Sequence, residues 1–387
     1  MKKLSMSTDA VISKRCVKNK HQSVKTKRQK CNLPKTCNMK QTCFLFQKLP
    51  NECKVKVLSY LTDVEKCLAS LVCTSFAQLM RTPCLWTKAD FVELMFFSRR
   101  RPMPIPSPAL ECQVLKERVK NFVFHLVSRQ ALIRELVFEF DLHDGDEIWL
   151  KLLVYLLQMA HAQDLQIIKC NWTFTPHIPW FLDGAALGAK ESRVNSFHKF
   201  LSVLQETSPG INTFSMPFDW SSYSITLLCN FKEITSLELS KYWVFQALPQ
   251  TLLNSLLQDL PKLKRLKLEV AVPFREWDLY PRYTLTSETL EDLDISTCSG
   301  FFLWSVTLPN LRNFTDSRTA WGGPVLPRTA LKVHCLYQVL GNGAPQLEMF
   351  NTCQLSAGWR EVCPSGLEEV LRGTCYCELH KKGPLIF

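Results

Sequence analysis

The chain has 387 residues, an ordinary apolar fraction of 46% and a formal net charge of +12. That length allows a substantial core and more than one domain. The charge is uneven: residues 1–40 hold twelve Lys or Arg against a single acid, Asp9, which leaves the remainder nearly neutral and removes the case for a basic, nucleic-acid-coating body.

Residues 1–43 have almost no hydrophobic periodicity and are expected to be a disordered basic tail. The tail carries "KR" at 14–15 and "KTKRQK" at 25–30, spaced as in a nuclear-import signal. It has no run of apolar residues like the core of a secretory signal. It also lacks aromatic residues to stack on bases, which counts against nucleic acid as a partner. The seventeen cysteines are an odd number, and most are scattered through apolar patterns. They are therefore expected as free thiols in a reducing intracellular compartment, cytoplasm or nucleus.

Residues 44–91 carry three short helical patterns. In "LPNECKVKVLSYL", Pro50 suits a first helical turn, and Cys53, Val57, Leu58 and Leu61 share a face. Thr62 with Glu65 three residues later forms a capping box that starts the next helix. That helix presents Val64, Cys67, Leu68, Leu71 and Val72 at helical spacing. A third helix holds Phe76, Leu79 and Met80 and stops at Pro83; Leu85 and Trp86 close the unit. So small a unit cannot hide all of this apolar surface internally, so a partner or the following domain must cover some of it.

Residues 92–110 are expected as a Pro-rich linker, with prolines at 102, 104, 106 and 108. Residues 111–387 read as one long domain. Within it an apolar-x-x-apolar-x-apolar unit recurs, as Ile133-Leu136-Phe138, Leu165-Ile168-Cys170, Ile211-Phe214-Met216, Ile234-Leu237-Leu239, Leu263-Leu266-Leu268 and Leu290-Leu293-Ile295. Weaker copies start at Leu311 and Leu347. Several copies follow an amphipathic helix broken by Pro or Gly, as in "TLLNSLLQDLPKLKRLKLEV". No such unit buries its own apolar face, so neighbours must stack. Residues 171–200 break the period and read as an insertion or irregular unit. "IWLKLLVYLLQMAHA" is too short to span a bilayer and reads as a buried helix, so no membrane partner is expected.

Few features invite catalysis or metal binding. Asp141, Asp144, Asp146 and Glu147 do not have the spacing of a calcium loop and read as a solvated turn. "GNGAP" at 341–345 lacks the third glycine of a nucleotide loop. Cys363, Cys375, Cys377 and His380 have zinc-ligand chemistry, but "CYC" puts two of them one residue apart, and free cysteines are the simpler reading. No cofactor, metal or catalytic residue is expected.

The pattern of residues 44–91 resembles an F-box. The matching residues are Leu49, Pro50 and Glu52; Val57, Leu58 and Leu61; Asp63; Val72 and Cys73; Leu85 and Trp86, with Phe76 at the usual aromatic position. Cys53 and Lys54 depart from the usual aliphatic pair. With the recurring triplets read as leucine-rich repeats rather than as an ordinary α/β domain, the expected architecture is α/β, a small three-helix F-box followed by an irregular leucine-rich-repeat solenoid, an arrangement that resembles the substrate receptors of SCF-type ligases. It further implies a non-catalytic substrate receptor of an SCF-type ubiquitin ligase. The F-box would dock on a Skp-type adaptor, and through it on cullin and RING subunits, while the repeats would bind an unknown protein substrate. The alternative is a scaffold that binds the adaptor without directing degradation. Leu49, Pro50, Val57, Leu58, Leu61, Val72, Phe76, Leu85 and Trp86 are expected at the adaptor interface or in the core directly behind it. In a solenoid the residues between buried strand positions face outward, so Lys264, Arg265, Lys267, Glu291 and Asp292 are the expected substrate face, alternating basic and acidic strips.

Overall fold

The computed structural model describes residues 46–96, 108–142, 147–174, 187–243, 246–272, 281–316, 335–356, 358–360 and 367. The chain divides into two compact units, residues 1–49 and 50–387. In the first, the described residues form a single 3-10 turn, Phe46–Lys48, closed by the Leu49 amide donating to the Phe46 carbonyl at 3.1 Å.

The second unit opens with three short helices, α1 (Asn51–Leu58), α2 (Asp63–Ser70) and α3 (Thr74–Leu79). Strands and helices then alternate: β1 (Lys88–Asp90), α4 (Val92–Phe96), α5 (Pro108–Ser128), β2 (Glu135–Phe140), α6 (Ile148–Met159) and β3 (Ile167–Phe174). They continue as α7 (Leu187–Thr207), β4 (Thr213–Phe218), α8 (Ser222–Leu228), β5 (Ser236–Lys241), α9 (Gln250–Asp259) and β6 (Arg265–Leu268). The last elements are β7 (Arg282–Thr286), β8 (Asp292–Asp294), β9 (Phe302–Thr307), β10 (Asn313–Thr315), α10 (Leu336–Gly343), β11 (Met349–Phe350) and β12 (Cys353–Gln354).

Ten of the strands form one sheet in the order β1-β2-β3-β4-β5-β6-β8-β10-β11-β12, laid down in chain order. Every neighbouring pair is parallel except β11 with β12. A second, two-stranded parallel sheet joins β7 to β9.

The recurring apolar triplets explain this order. Their first members, Ile133, Leu165, Ile211, Ile234, Leu263 and Leu290, are buried just before a strand begins. Their second members stand side by side: Leu136, Ile168, Phe214, Leu237, Leu266 and Leu293 pair in register, and Phe314 and Phe350 extend the row. All eight are at most 1% exposed. Each such side chain contributes about 1.5–3 kcal/mol through burial.

The backbone repeats as faithfully as the side chains. The carbonyl between the first two apolar positions accepts two amides from the next strand. Arg134 takes Gln166 and Ile167 at 2.9 and 3.0 Å, and Gln166 takes Asn212 and Thr213 at 2.9 and 3.0 Å. Asn212, Thr235, Lys264, Glu291 and Arg312 continue the same arrangement. It begins one strand early: the Thr87 carbonyl accepts the amides of Arg134 and Glu135 at 2.7 and 3.1 Å. The chain that leaves the three helices is thus already the first strand of the sheet.

Behind the sheet, successive elements pack on each other in chain order, α5 on α6, then α7, α8 and α9, then β7, β9 and α10. The strands β7 and β9 take the place of two helices. Gly343 ends α10 where the backbone passes tight against Val306; a Cβ there would collide with the Val306 carbonyl. Helix α6 buries Trp149, Leu150, Leu153, Leu156 and Leu157, as its apolar run requires. Among the described residues no helix is long and apolar enough to cross a membrane.

Two stretches, one expected as a linker and one as an insertion or irregular unit, contain regular elements. Residues 92–110 contain α4 at one end and the start of α5 at the other, and 97–107 lie outside the described residues. Residues 171–200 contain the end of β3 and much of α7, a regular strand and helix; 175–186 lie outside the described residues. The tail 1–43, Asp144, Asp146 and the Cys363, Cys375, Cys377 and His380 group also lie outside them.

Candidate functional site

The three helices are held by a capping box on α2 and by one tryptophan. At α2 the Glu65 amide donates to Thr62 Oγ1 at 3.3 Å, and the Thr62 amide donates to Glu65 Oε2 at 2.9 Å, a complete capping box. The Thr62 bonds hold the Glu65 carboxyl below its usual range. Such a cap stabilises a helix of this length by about 1 kcal/mol.

The core of the unit is Leu58, Met80, Leu85 and Trp86, none more than 5% exposed. The Trp86 indole N–H donates to the Met80 carbonyl at 2.8 Å, so the ring is buried without an orphaned donor. His125 of α5 meets it edge to face at 4.6 Å, and the Lys66 ammonium lies 5.5 Å from its centroid. Lys66 is itself buried and pairs with Asp63 at 2.8 Å. Burial raises the Asp63 carboxyl in spite of Lys66. Asp90, at the end of β1, accepts the amides of Val92 and Glu93 at 3.0 and 3.3 Å and so starts α4. Lys88 bonds Asp90 at 2.8 Å, a hydrogen bond that raises the lysine above its ordinary range.

Other apolar residues of the unit are uncovered. Leu71 is 81% exposed, Tyr60 76%, Val72 70%, Leu68 59% and Val57 44%. These are five of the eleven large apolar residues exposed among the described residues, drawn from one short stretch of chain. Such a concentration marks an interaction surface. Asn51 and Val55 of α1, with Ser59 just after it, line an open groove with Gln78 and Leu79 of α3 and Cys84.

The residues expected here separate by depth. Leu58, Leu85 and Trp86 lie in the core; Leu49, Leu61 and Phe76 are half-buried; Pro50, Val57 and Val72 are exposed. Tyr60, Leu68 and Leu71 were not among the expected site residues, yet they are more exposed than Val57. The helical spacing of Leu68 and Leu71 put them on an apolar face, but spacing does not say whether that face turns to the core or to solvent.

The expected charged face is also placed. Lys264 bonds Glu291 at 2.9 Å, and Lys267 bonds Glu238 at 2.6 Å, each across adjacent strands. Arg265 stands in register with Asp292, whose carboxyl is raised by burial against the pull of Arg265. The basic and acidic strips therefore neutralise one another locally. Exposed pairs of this kind add about 0–1 kcal/mol each, so their arrangement matters more for recognition than for stability. Asp141 is tied to Arg193 at 2.7 Å, and among the described residues no three His, Cys, Asp or Glu side chains are grouped to hold a metal ion.

A three-helix unit with a capping box on α2, closed by Leu85 and Trp86 and leaving apolar residues open, is what the pattern of residues 44–91 anticipated. Residues 46–92 match the F-box-like family, and the chain therefore carries an F-box-like domain joined to a mixed α/β body.

Proposed function

We propose that the chain is the substrate-recognition subunit of an SCF-type E3 ubiquitin ligase. Its F-box-like domain holds a Skp-type adaptor, and through it cullin and RING subunits, while the sheet domain, an irregular leucine-rich-repeat array, carries the protein to be modified. The reading divides the chain into a basic tail (1–43), the F-box (44–91), the segment 92–110 and the repeat domain (111–387). The chain itself performs no chemistry in this scheme. It raises the local concentration of target lysines near a charged ubiquitin carrier.

The supporting observation is the uncovered apolar surface at Val57, Tyr60, Leu68, Leu71 and Val72, which lies within the F-box-like match. The paired charges of Lys264, Lys267, Glu238 and Glu291 support a substrate face of mixed sign on the sheet. Affinity purification of the intact chain, and of Leu49→Ala with Pro50→Ala, tests the scheme. The intact chain should bring down adaptor and cullin, and proteasome inhibition should enrich a bound target. Cullin retained by the double variant would sink the assignment. Adaptor without cullin would favour the non-degradative scaffold.

A further inference from the structure

The solvent-facing side of the sheet divides into two regions. From β5 to β8 the charges answer one another. Lys267 bonds Glu238 at 2.6 Å, and this hydrogen bond raises the ammonium above its ordinary range, with Asp294 and Glu269 adding to the pull. Lys264 bonds Glu291 at 2.9 Å, and Arg265 stands beside Asp292 in register. A partner that covers these pairs must desolvate them and gains little new charge pairing in return.

Strands β2 to β4 are different. Register sets Val137 of β2, Lys169 of β3 and Ser215 of β4 side by side, and Ile167 beside Thr213 two residues earlier. Side chains alternate along a strand, so these five face away from the buried row of Leu136, Ile168 and Phe214. Val137, Ile167, Thr213 and Ser215 are half-buried and uncharged, whereas Lys169 among them is exposed. Three strands at about 4.8 Å spacing make this patch about 10 Å wide. Paired charges fence it on both sides. Towards β1, Glu135 lies 4.0 Å from Lys88, which bonds Asp90 at 2.8 Å. Towards β5, Glu238 stands in register with Ser215 and is held by Lys267. Among the described residues Lys169 belongs to no ion pair.

An uncharged centre inside a charged rim is the layout of a protein-binding surface, because the centre can be dried at low cost. The cation in the middle decides what can cover it. In the free chain water solvates the exposed ammonium. Once the patch is covered that water is lost, and a covered ammonium without a counter-charge is costly. The partner must therefore bring an acid to that point.

We propose that the solvent-facing side of β2 to β4 takes a segment of a protein substrate that sets one Asp or Glu side chain against Lys169 and uncharged residues against Val137, Ile167, Thr213 and Ser215. The inference rests on the substrate-receptor reading and names the chemistry of the captured segment, with the paired strips of β5 to β8 as its rim.

The test uses the full chain bound to its adaptor, with a displayed library of random peptides as probe. The parent should enrich peptides that carry one Asp or Glu among uncharged residues. Lys169→Glu should bind those peptides at least about tenfold more weakly, because repulsion replaces attraction, and should enrich Lys or Arg in place of the acid. Lys169→Arg should select as the parent does. Lys169 is exposed and in no ion pair, so Lys169→Glu should melt with the parent, and its loss of binding is not a loss of fold. An acidic selection that survives Lys169→Glu would overturn the site. So would one that is lost only on Lys264→Glu with Lys267→Glu, which places capture on the paired strips, or a parent that enriches no acidic peptide. Adaptor retained without acidic enrichment sinks this site alone, whereas acidic enrichment without adaptor binding sinks the F-box reading and leaves the site standing.

Discussion

Leu71→Asp combined with Val72→Asp separates a docking surface from a structural one. Leu71 is 81% exposed and Val72 70%, so nearly all of their apolar surface is free to be covered by a partner. Full burial of such side chains contributes about 1.5–3 kcal/mol each; scaled by the free fractions, the pair supplies about 3 kcal/mol to an interface. Desolvating the new carboxylates adds to the loss and takes it past about 4 kcal/mol. That corresponds to a fall in adaptor affinity on the order of 10³-fold. The folded chain loses little covered surface, and a carboxylate at the α2 C-cap opposes the helix dipole, so its stability should fall by about 1 kcal/mol at most. Calorimetric titration with a Skp-type adaptor reads the first quantity and thermal melting the second. Val114→Asp with Phe124→Asp on α5, apolar residues exposed by 40% and 47% outside the F-box-like match, is the control and should leave adaptor affinity unchanged. An affinity within about tenfold of the parent, with melting unchanged, would refute the assignment of this surface.

Trp86→Ala should cost about 3–5 kcal/mol and leave the Met80 carbonyl without its donor, a loss visible as an early melting phase. Gly343→Ala should destabilise by about 1–3 kcal/mol, because its Cβ must displace the Val306 backbone; denaturant midpoints measure it, and an unchanged midpoint would count against the close approach. Lys264→Glu with Lys267→Glu breaks two exposed, solvent-screened pairs and should leave the chain folded in thermal melts, while lengthening the half-life of a target whose turnover needs the F-box. His125 is held below its ordinary pKa by burial first and by Arg129 second, so its contribution to stability is present above pH 6.5 and lost as pH falls through the lowered folded value. His125→Phe should remove that part of the acid-side slope in melts taken between pH 7 and pH 5, and an unaltered slope would place the proton uptake elsewhere.

The sequence carried the helical unit in detail because its signals are local. Pro50 opens α1, and Thr62 and Glu65 cap α2 as their spacing requires. The strands were legible for a different reason: each apolar triplet buries residues two and three apart on one face, and that pattern survives in sequence whatever lies between copies. Outer elements have no such constraint. Nothing in "RYTLT" or "FLWSVT" says that β7 and β9 will pair with each other instead of joining the main sheet, because that depends on which space α9 and α10 leave. Lys264, Lys267, Glu238 and Glu291 stand on or just before neighbouring strands, and their neutralisation depends on the register that sets Lys267 beside Glu238. The uncharged patch around Lys169 was not foreseen at all. Its members lie on β2, β3 and β4, far apart in the chain, and only parallel stacking of those strands brings them together.

The small size of the F-box-like unit follows from how it is finished. A stretch of this length cannot enclose a core unaided. Its apolar residues therefore leave in two directions. Leu58, Met80, Leu85 and Trp86 turn inward, and Trp86 closes against His125 of α5. Thr87 then supplies the first of the two-amide carbonyls that organise every later strand. The stability that α1, α2 and α3 lack on their own is thus drawn from the sheet, through β1 and the helix behind it. That arrangement frees Tyr60, Leu68, Leu71 and Val72 from any structural duty. Four large apolar residues at 59–81% exposure within thirteen consecutive positions form a concentration that marks an interaction surface, and this is the physical reason to look for the partner there.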